Sequence, residues 1–344
     1  MFPPAEGKGA SDLATIREVA RMAGVSPATV SRVLNGQAPV RESTRRRVLE
    51  AVEALGFTPN GLARGLAKGV TRTIGLVLPD IANPYFPALA RGVEDAARAA
   101  GFAVILGNSD NDPAQEAAHV AVMRERLVDG LIIASSGQPE RLPAVVGDVP
   151  TVLIDRRVDG WPADSVSTDN RLGGRLAVAH LLSRGRRRIA HLGGPEGVTS
   201  AGDRALGFSD ALREAGLEPD PKLVSRGPFA FESGYERTRA LLASGVDFDA
   251  IFAANDLLAV GAIQACQDEG LDVPQQVAVV GFDDILLARL VRPRLTTVLQ
   301  PAYRAGTLAW ERLAARIAAR AAGRAPAEPL DVQLTPRLVV RESA

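Results

Sequence analysis

Seven short polar clusters in the body of the chain carry its chemically capable side chains. They are Asn83-Pro84-Tyr85-Phe86, Asp155-Arg156, Asp203-Arg204, Phe229, Asn255-Asp256, Asp283 and Gln300. Carboxylates, arginines, amides and flat aromatic faces suit a polyhydroxylated ring. The polar groups pair with its hydroxyls and the aromatics cover its C–H face. Any one cluster also reads as a helix cap or a turn, so the weight lies in their joint placement. For catalysis the set is poorly equipped. Asp155, Asp256 and Asp283 qualify as general bases only in principle, because no G-x-S-x-G elbow, P-loop or G-x-G-x-x-G turn accompanies them. Cys266 is the single cysteine, and His119, His180 and His191 show no ligand spacing. No catalytic residue, metal or cofactor is expected.

A second chemistry belongs to the first seventy residues. They hold 10 Lys/Arg against 6 Asp/Glu, whereas the remainder holds 30 against 34. A basic head on a mildly acidic body suits one domain that faces phosphates and another that does not. Within the head, Pro27, Ala28, Thr29, Ser31, Arg32 and Asn35 form a face of small or hydrogen-bonding residues. Read without further context, that face is either a solvated helix surface or a reader of base edges.

Strand and helix signals position these residues. Thr15-Ile16-Arg17-Glu18 fits a capping box, and Ile16, Val19, Ala20 and Ala23 then make one apolar face. Gly24 ends that helix. Ser26-Pro27 starts a second as N-cap and first helical residue, and a third spans roughly 43–55 with Val48, Val52 and Leu55 inward. Two short helices across a Gly-containing turn make a helix-turn-helix whose third helix closes the core. The second helix would enter the major groove by its N-terminus. There Arg32 can bond guanine bidentately, worth ~1–3 kcal/mol of discrimination.

Beyond residue 73, apolar strands at 74–78, 103–106, 130–134, 151–154, 189–192, 250–253 and 277–281 alternate with helical patterns such as 89–100, 171–182, 256–268 and 302–322. Repeated strand–helix units imply parallel sheets covered on both faces. There are too many strands for one compact unit, so the expected fold is an all-α head followed by an α/β sensor of two doubly wound lobes. Ligands in such sheets lie off the C-terminal strand ends, which is where the seven clusters fall.

The run VARMAGVSPATVSRVLNG over 19–36 resembles the DNA-binding signature of the LacI/GalR repressor family, and the body is similar throughout to that family's periplasmic-binding-protein-like sensor. The resemblance covers nearly all of the chain past the first dozen residues. One departure is Arg41, where many members carry a small N-capping residue. The resemblance implies DNA contacts from Thr15, Ser26, Pro27, Ala28, Thr29, Ser31, Arg32, Asn35 and Thr44. It also implies a hinge helix at 60–67 (NGLARGLA) that meets its dimer copy in the minor groove through Asn60, Ala63 and the wedge Leu66. With two glycines in eight residues, such a helix orders only on DNA and against its partner.

The family's ligand contacts fall on Asn83, Tyr85, Phe86, Asp155, Arg156, Arg204, Phe229, Asn255, Asp283 and Gln300, a set most like that of ribose-type binding proteins. Val198 stands where the purine repressor has an arginine, so a pentose-like sugar is favoured over a purine. The expected organisation is a disordered tail at 1–12, a helix-turn-helix at 13–58, a hinge and linker at 59–71, and a sensor at 72–344. Within the sensor, one lobe takes about 72–168 and 301–330, the other about 169–300 and 331–344.

The expected function is a cytoplasmic, homodimeric regulator of a pseudo-palindromic double-stranded DNA operator, released by sugar. Co-repression is the alternative sign. A sugar-transport component is the alternative class, opposed by the reading head and by a polar N-terminus unlike a secretory signal. No apolar run approaches the ~20 residues that span a bilayer. Arg45-Arg46-Arg47, Arg186-Arg187-Arg188 and the Arg-rich 316–324 read as solvated faces, and Trp310 as packing.

Overall fold

The computed structural model describes residues 14–35, 39–57, 70–136, 142–158, 160–325 and 327–344. The expectations for the tail at 1–12 and the hinge at 60–67, with Asn60, Ala63 and Leu66, lie outside these described residues. The chain divides into two compact units, Met1–Thr71 and Arg72–Ala344.

The first unit is three helices: α1 (Ile16–Ala23), α2 (Pro27–Asn35) and α3 (Glu42–Ala54). Thr15 opens α1 with a full capping box. Its hydroxyl accepts from Glu18 N, and the Glu18 carboxylate accepts from Thr15 N at 2.7 Å. Gly24 closes α1 in the left-handed conformation at φ 64°, where a Cβ is penalised. Ser26 Oγ accepts from Thr29 N at 3.2 Å and so caps α2. Val19, Ala20, Ala23, Val30, Val48 and Ala51 are buried together. Val52 and Leu55 only flank this core, because Val48 and Ala51 are the residues of α3 that face it. Arg41 precedes α3 without any side-chain cap, as its chemistry dictates.

The second unit has two six-stranded sheets. The first lobe contains β1 (Thr73–Leu78), α4 (Tyr85–Ala99), β2 (Ala103–Asn108), α5 (Pro113–Glu125), β3 (Gly130–Ile133), α6 (Leu142–Val146), β4 (Thr151–Ile154) and β5 (Asp164–Thr168). The second contains α7 (Asn170–Ser183), β6 (Ile189–Gly193), α8 (Thr199–Glu214), β7 (Val224–Arg226), α9 (Phe231–Ala243), β8 (Ala250–Ala253), α10 (Asp256–Asp268), β9 (Ala278–Asp283), α11 (Leu287–Leu290) and β10 (Thr296–Leu299). The chain then returns through α12 (Ala302–Ala321), β11 (Asp331–Leu334) and β12 (Arg337–Val339).

Sheet one runs β11-β5-β4-β3-β1-β2, all parallel. Sheet two runs β12-β10-β9-β8-β6-β7, parallel except for the β12 edge. The expected lobe boundary at 330/331 is therefore displaced. β11 pairs with β5, Asp331 opposite Ser165, so 331–334 belong to the first lobe and the chain crosses after Leu334.

Alternation along β1 shows how both sheet faces are covered. Ile74, Leu76 and Leu78 pack with Leu89 and Val93 of α4 and Trp310 and Leu313 of α12, whereas Val77 packs with Val120 and Met123 of α5. Trp310 is packing, its ring 4.9 Å from that of Phe102. In the second lobe, α7 and α8 meet through Gly174 and Gly207. A Cβ on Gly174 would lie 2.4 Å from Arg204 O, and one on Gly207 would lie 2.1 Å from Arg171 O. This close approach sets where α8 carries Arg204.

One arginine in each of two runs expected to be solvated, Arg186 and Arg316, is tied into the fold while the neighbouring arginines stay exposed. Arg186 Nη2 donates to the carbonyls of Pro274 and Gln275. Arg312 and Arg316 hold buried Asp164, whose carboxyl stays below its usual range because burial is outweighed by these donors and Leu330 N. Among the described residues no helix is long and apolar enough to cross a membrane.

Candidate functional site

Ten side chains singled out from the sequence line one cavity of about 250 Å³, solvent at its mouth included. From the first lobe come Asn83 on the β1–α4 connection, Tyr85 and Phe86 on the first turn of α4, and Asp155 and Arg156 just past β4. The second lobe supplies Arg204 of α8, Phe229, Asn255, Asp283 at the end of β9, and Gln300 after β10. An eleventh lining residue, Ser200, was missed. It precedes Arg204 by four residues, one helical turn on the same face, and that spacing could have revealed it.

Each group is held by its own element. Asp155 takes φ 65°, which turns its side chain out of the strand direction, and accepts from Tyr85 Oη at 3.0 Å. Arg156 donates to Ser135 O at 2.9 Å and Asn111 Oδ1 at 3.2 Å, with its Nε 3.6 Å from Asp155 Oδ2. Arg204 donates to Asn170 Oδ1 at 2.8 Å and Ala254 O at 2.7 Å. Its guanidinium lies 3.9 Å from the centroid of the buried Phe282 ring and 5.9 Å from that of Phe229. Asn255 Oδ1 caps α10 through Leu258 N. Gln300 Nε2 donates to Asp283 Oδ1 at 2.7 Å.

These anchors leave selected atoms unmet. Arg156 Nε, Asn255 Nδ2 and Gln300 Oε1 are buried without a hydrogen-bond partner among the described residues. Two donors and one acceptor in one cavity are a demand that a polyhydroxylated ligand meets. Electrostatics agree with a neutral guest, since the arginines are already faced by carboxylates. Burial pushes the Asp283 carboxyl up to about 7, against the pull of Arg204 and Gln300. Asp256, behind it, is raised well above its ordinary value by burial and by the Asp283 charge. It serves structure by accepting from Thr297 Oγ1 and Ile285 N. Burial also raises Tyr85 and lowers Arg156. Among the described residues, no group of three or more His, Cys, Asp or Glu is placed to hold a metal.

On the head, Ser26, Pro27, Ala28 and Arg32 are exposed and Thr29 and Ser31 half-buried on α2. Asn35 is its last residue. Thr15 is spent on the α1 cap, and Thr44 is half-buried in the first turn of α3.

Comparison with known proteins covers both units. The family profile described as bacterial regulatory proteins, lacI family, matches residues 15–60, and the periplasmic binding protein-like domain matches 178–344. The ribose operon repressor of Halalkalibacterium halodurans is 38% identical over 332 residues, covering 96% of this chain and 97% of that protein. The transcriptional regulator GalR of Escherichia coli K12 is 36% identical over 333 residues, covering 96% of each. Among solved structures, the Lac repressor dimer bound to operator and the anti-inducer ONPF superposes with a TM-score of 0.85 at 29% identity, covering 96% of this chain and 99% of that one. A complex of the regulator CelR with cellobiose gives 0.73 at 34% identity, covering 96% and 100%. With near-full-length relatives at this identity and the same head and two-lobed body, the chain belongs to the LacI/GalR family of DNA-binding transcriptional regulators.

Proposed function

We propose that the protein is a cytoplasmic, homodimeric repressor of a pseudo-palindromic operator, and that a small neutral sugar, pentose-like by preference, releases it by binding in the cleft. The observation that carries this reading is the trio of unmet polar atoms on Arg156, Asn255 and Gln300, set among Asp155, Asp283 and the Phe86 and Phe229 rings. Hydroxyl groups satisfy both the donors and the acceptors, and a ring's C–H face covers the aromatics. The ribose operon repressor and the CelR–cellobiose complex carry sugars in their names, which supports the class.

Ligand bridging the lobes stabilises their closed arrangement. Operator affinity then falls by the ligand's differential affinity for the two arrangements. The reading helix α2 supplies the base contacts, with Arg32 as its longest exposed donor.

A thermal-shift screen of the full-length protein with pentoses, hexoses and their phosphates tests the ligand class, because bound ligand raises apparent stability by mass action. A pentose should raise the midpoint saturably, and Asp155→Asn should need at least about tenfold more pentose for the same rise. A shift only with phosphorylated sugars would replace the neutral-sugar assignment.

A further inference from the structure

A second cavity opens on a different face of α8. It holds about 420 Å³, its open mouth included, and shares no lining residue with the cleft. Ser200 and Arg204 face the cleft, whereas Ala201, Gly202 and Ala205 wall this cavity. Its opposite wall is the Gly-rich connection after β6 together with Val224 and Arg226 of β7.

The floor is His191. This residue is 1% exposed, and its ring is stacked between Phe208 and Phe252 at centroid distances of 5.0 and 4.9 Å. Nδ1 lies 3.0 Å from Phe252 O, a pure acceptor, so Nδ1 carries the proton and Nε2 is left as a lone-pair acceptor. Burial pushes the imidazole down to about 4, so the ring stays neutral near pH 7. Nε2 has no hydrogen-bond partner among the described residues. It points to the Gly193 side of the cavity, since a Cβ on Gly193 would lie 3.3 Å from it. Glycine at that position keeps a side chain out of the space beside the buried acceptor.

We propose that this cavity is a second small-molecule site, distinct from the cleft, for an uncharged ligand that presents one hydroxyl or N–H to His191 Nε2. Burial has already stripped water from that acceptor, so a donor there restores what desolvation removed. The walls offer carbon: Pro195, Val198, Ala201, Ala205 and Val224. At the rim, Arg226 and Glu196 are 3.3 Å apart and offset each other, while Arg237 behind them is tied to Gly193 O, Ser225 O and Ser233 Oγ. An occupant lies against the helix that carries Ser200 and Arg204.

Phenol and toluene form the matched probe pair, alike in size and differing in the donor. The chain has three histidines, so ¹⁵N-histidine labelling of the full-length protein gives a sparse spectrum in which Nε2 of His191 is resolved. Millimolar phenol should shift the His191 Nε2 resonance saturably and leave His119 and His180 in place. Toluene should bind at least about fivefold more weakly. Gly202→Leu has open space at the cavity edge, nothing lying within 4 Å of its Cβ, and should weaken the phenol response without loss of cooperative unfolding. An unchanged His191 resonance, equal binding of the two probes, or full phenol response in Gly202→Leu would each overturn the proposal. The first of these is what a cavity holding only water would give.

Discussion

Arg157 of the first lobe donates from Nη2 to Asp203 Oδ2 of the second at 3.1 Å, and its backbone N–H donates to Thr199 Oγ1, also at 3.1 Å. Both partners adjoin cleft residues, Arg156 on one side and Arg204 on the other. The pair therefore links the lobes where a ligand must also link them. The side chains are about one-third exposed, which limits the interaction to about 1 kcal/mol. Arg157→Ala should weaken effector binding by up to about fivefold, measured by calorimetric titration, and leave operator affinity without effector unchanged. Unaltered effector affinity would mean that the pair does not contribute to closure.

Asp155→Asn separates effector recognition from operator binding. Asn tolerates the φ of 65° at this position and can still accept from Tyr85 Oη, so the backbone is retained. What is lost is a charge-assisted acceptor, worth roughly 1.5–3 kcal/mol. Effector affinity should fall at least about tenfold with wild-type operator binding, while the urea midpoint falls because buried Arg156 loses the carboxylate that faces it.

Asp283 gives a pH dependence with a defined sign. Its folded-state value, near 7, exceeds the ordinary 3.8 because of burial. Between those values the folded protein holds a proton that the unfolded chain releases. The stability from this group is therefore complete below about pH 4 and is lost as pH rises through 7. Effector binding runs the opposite way, because a sugar hydroxyl donates best to the ionised carboxylate. Raising the pH from about 6 to about 8 should lower the urea midpoint and tighten effector binding. Asp283→Asn should flatten both trends, leaving the part of the stability slope that Asp256 contributes in the same direction.

Arg32→Ala addresses the reading head alone. Loss of one bidentate guanine contact costs roughly 1–3 kcal/mol at its base pair and relaxes discrimination there. Competition binding with operators altered at single positions should show the loss at one symmetric pair of positions. Effector titration should be unchanged. A uniform loss across all sequences would instead make Arg32 a phosphate contact.

Much of this architecture was legible because strands buried on both faces are written as short apolar runs, as in β3, β4 and β8. β5 was not, since it reads Asp-Ser-Val-Ser-Thr and is nevertheless buried, its Asp164 satisfied by Arg312 and Arg316 from distant sequence. The edge strands β7 and β12 have three residues each, too few for periodicity to register. β11 was placed in the wrong lobe for a related reason, because pairing with β5 is a long-range event that no local pattern records. Cleft residues were legible through their position after strands. Ser200, one helical turn before Arg204, was overlooked, and the Phe282 ring beneath Arg204 was hidden within an apolar strand.

By the proposed function, a neutral sugar in the Asp155–Asp283 cleft sets operator affinity. The direct measurement is fluorescence anisotropy of a duplex that the full-length protein enriches from a random pool, titrated with and without the pentose found by thermal shift. Pentose should weaken binding for wild type, while Asp155→Asn should bind the duplex as wild type does without pentose and need at least about tenfold more pentose for release. Pentose-strengthened binding would reverse the sign to co-repression, and equal release of wild type and Asp155→Asn would contradict the cleft as the sensing site.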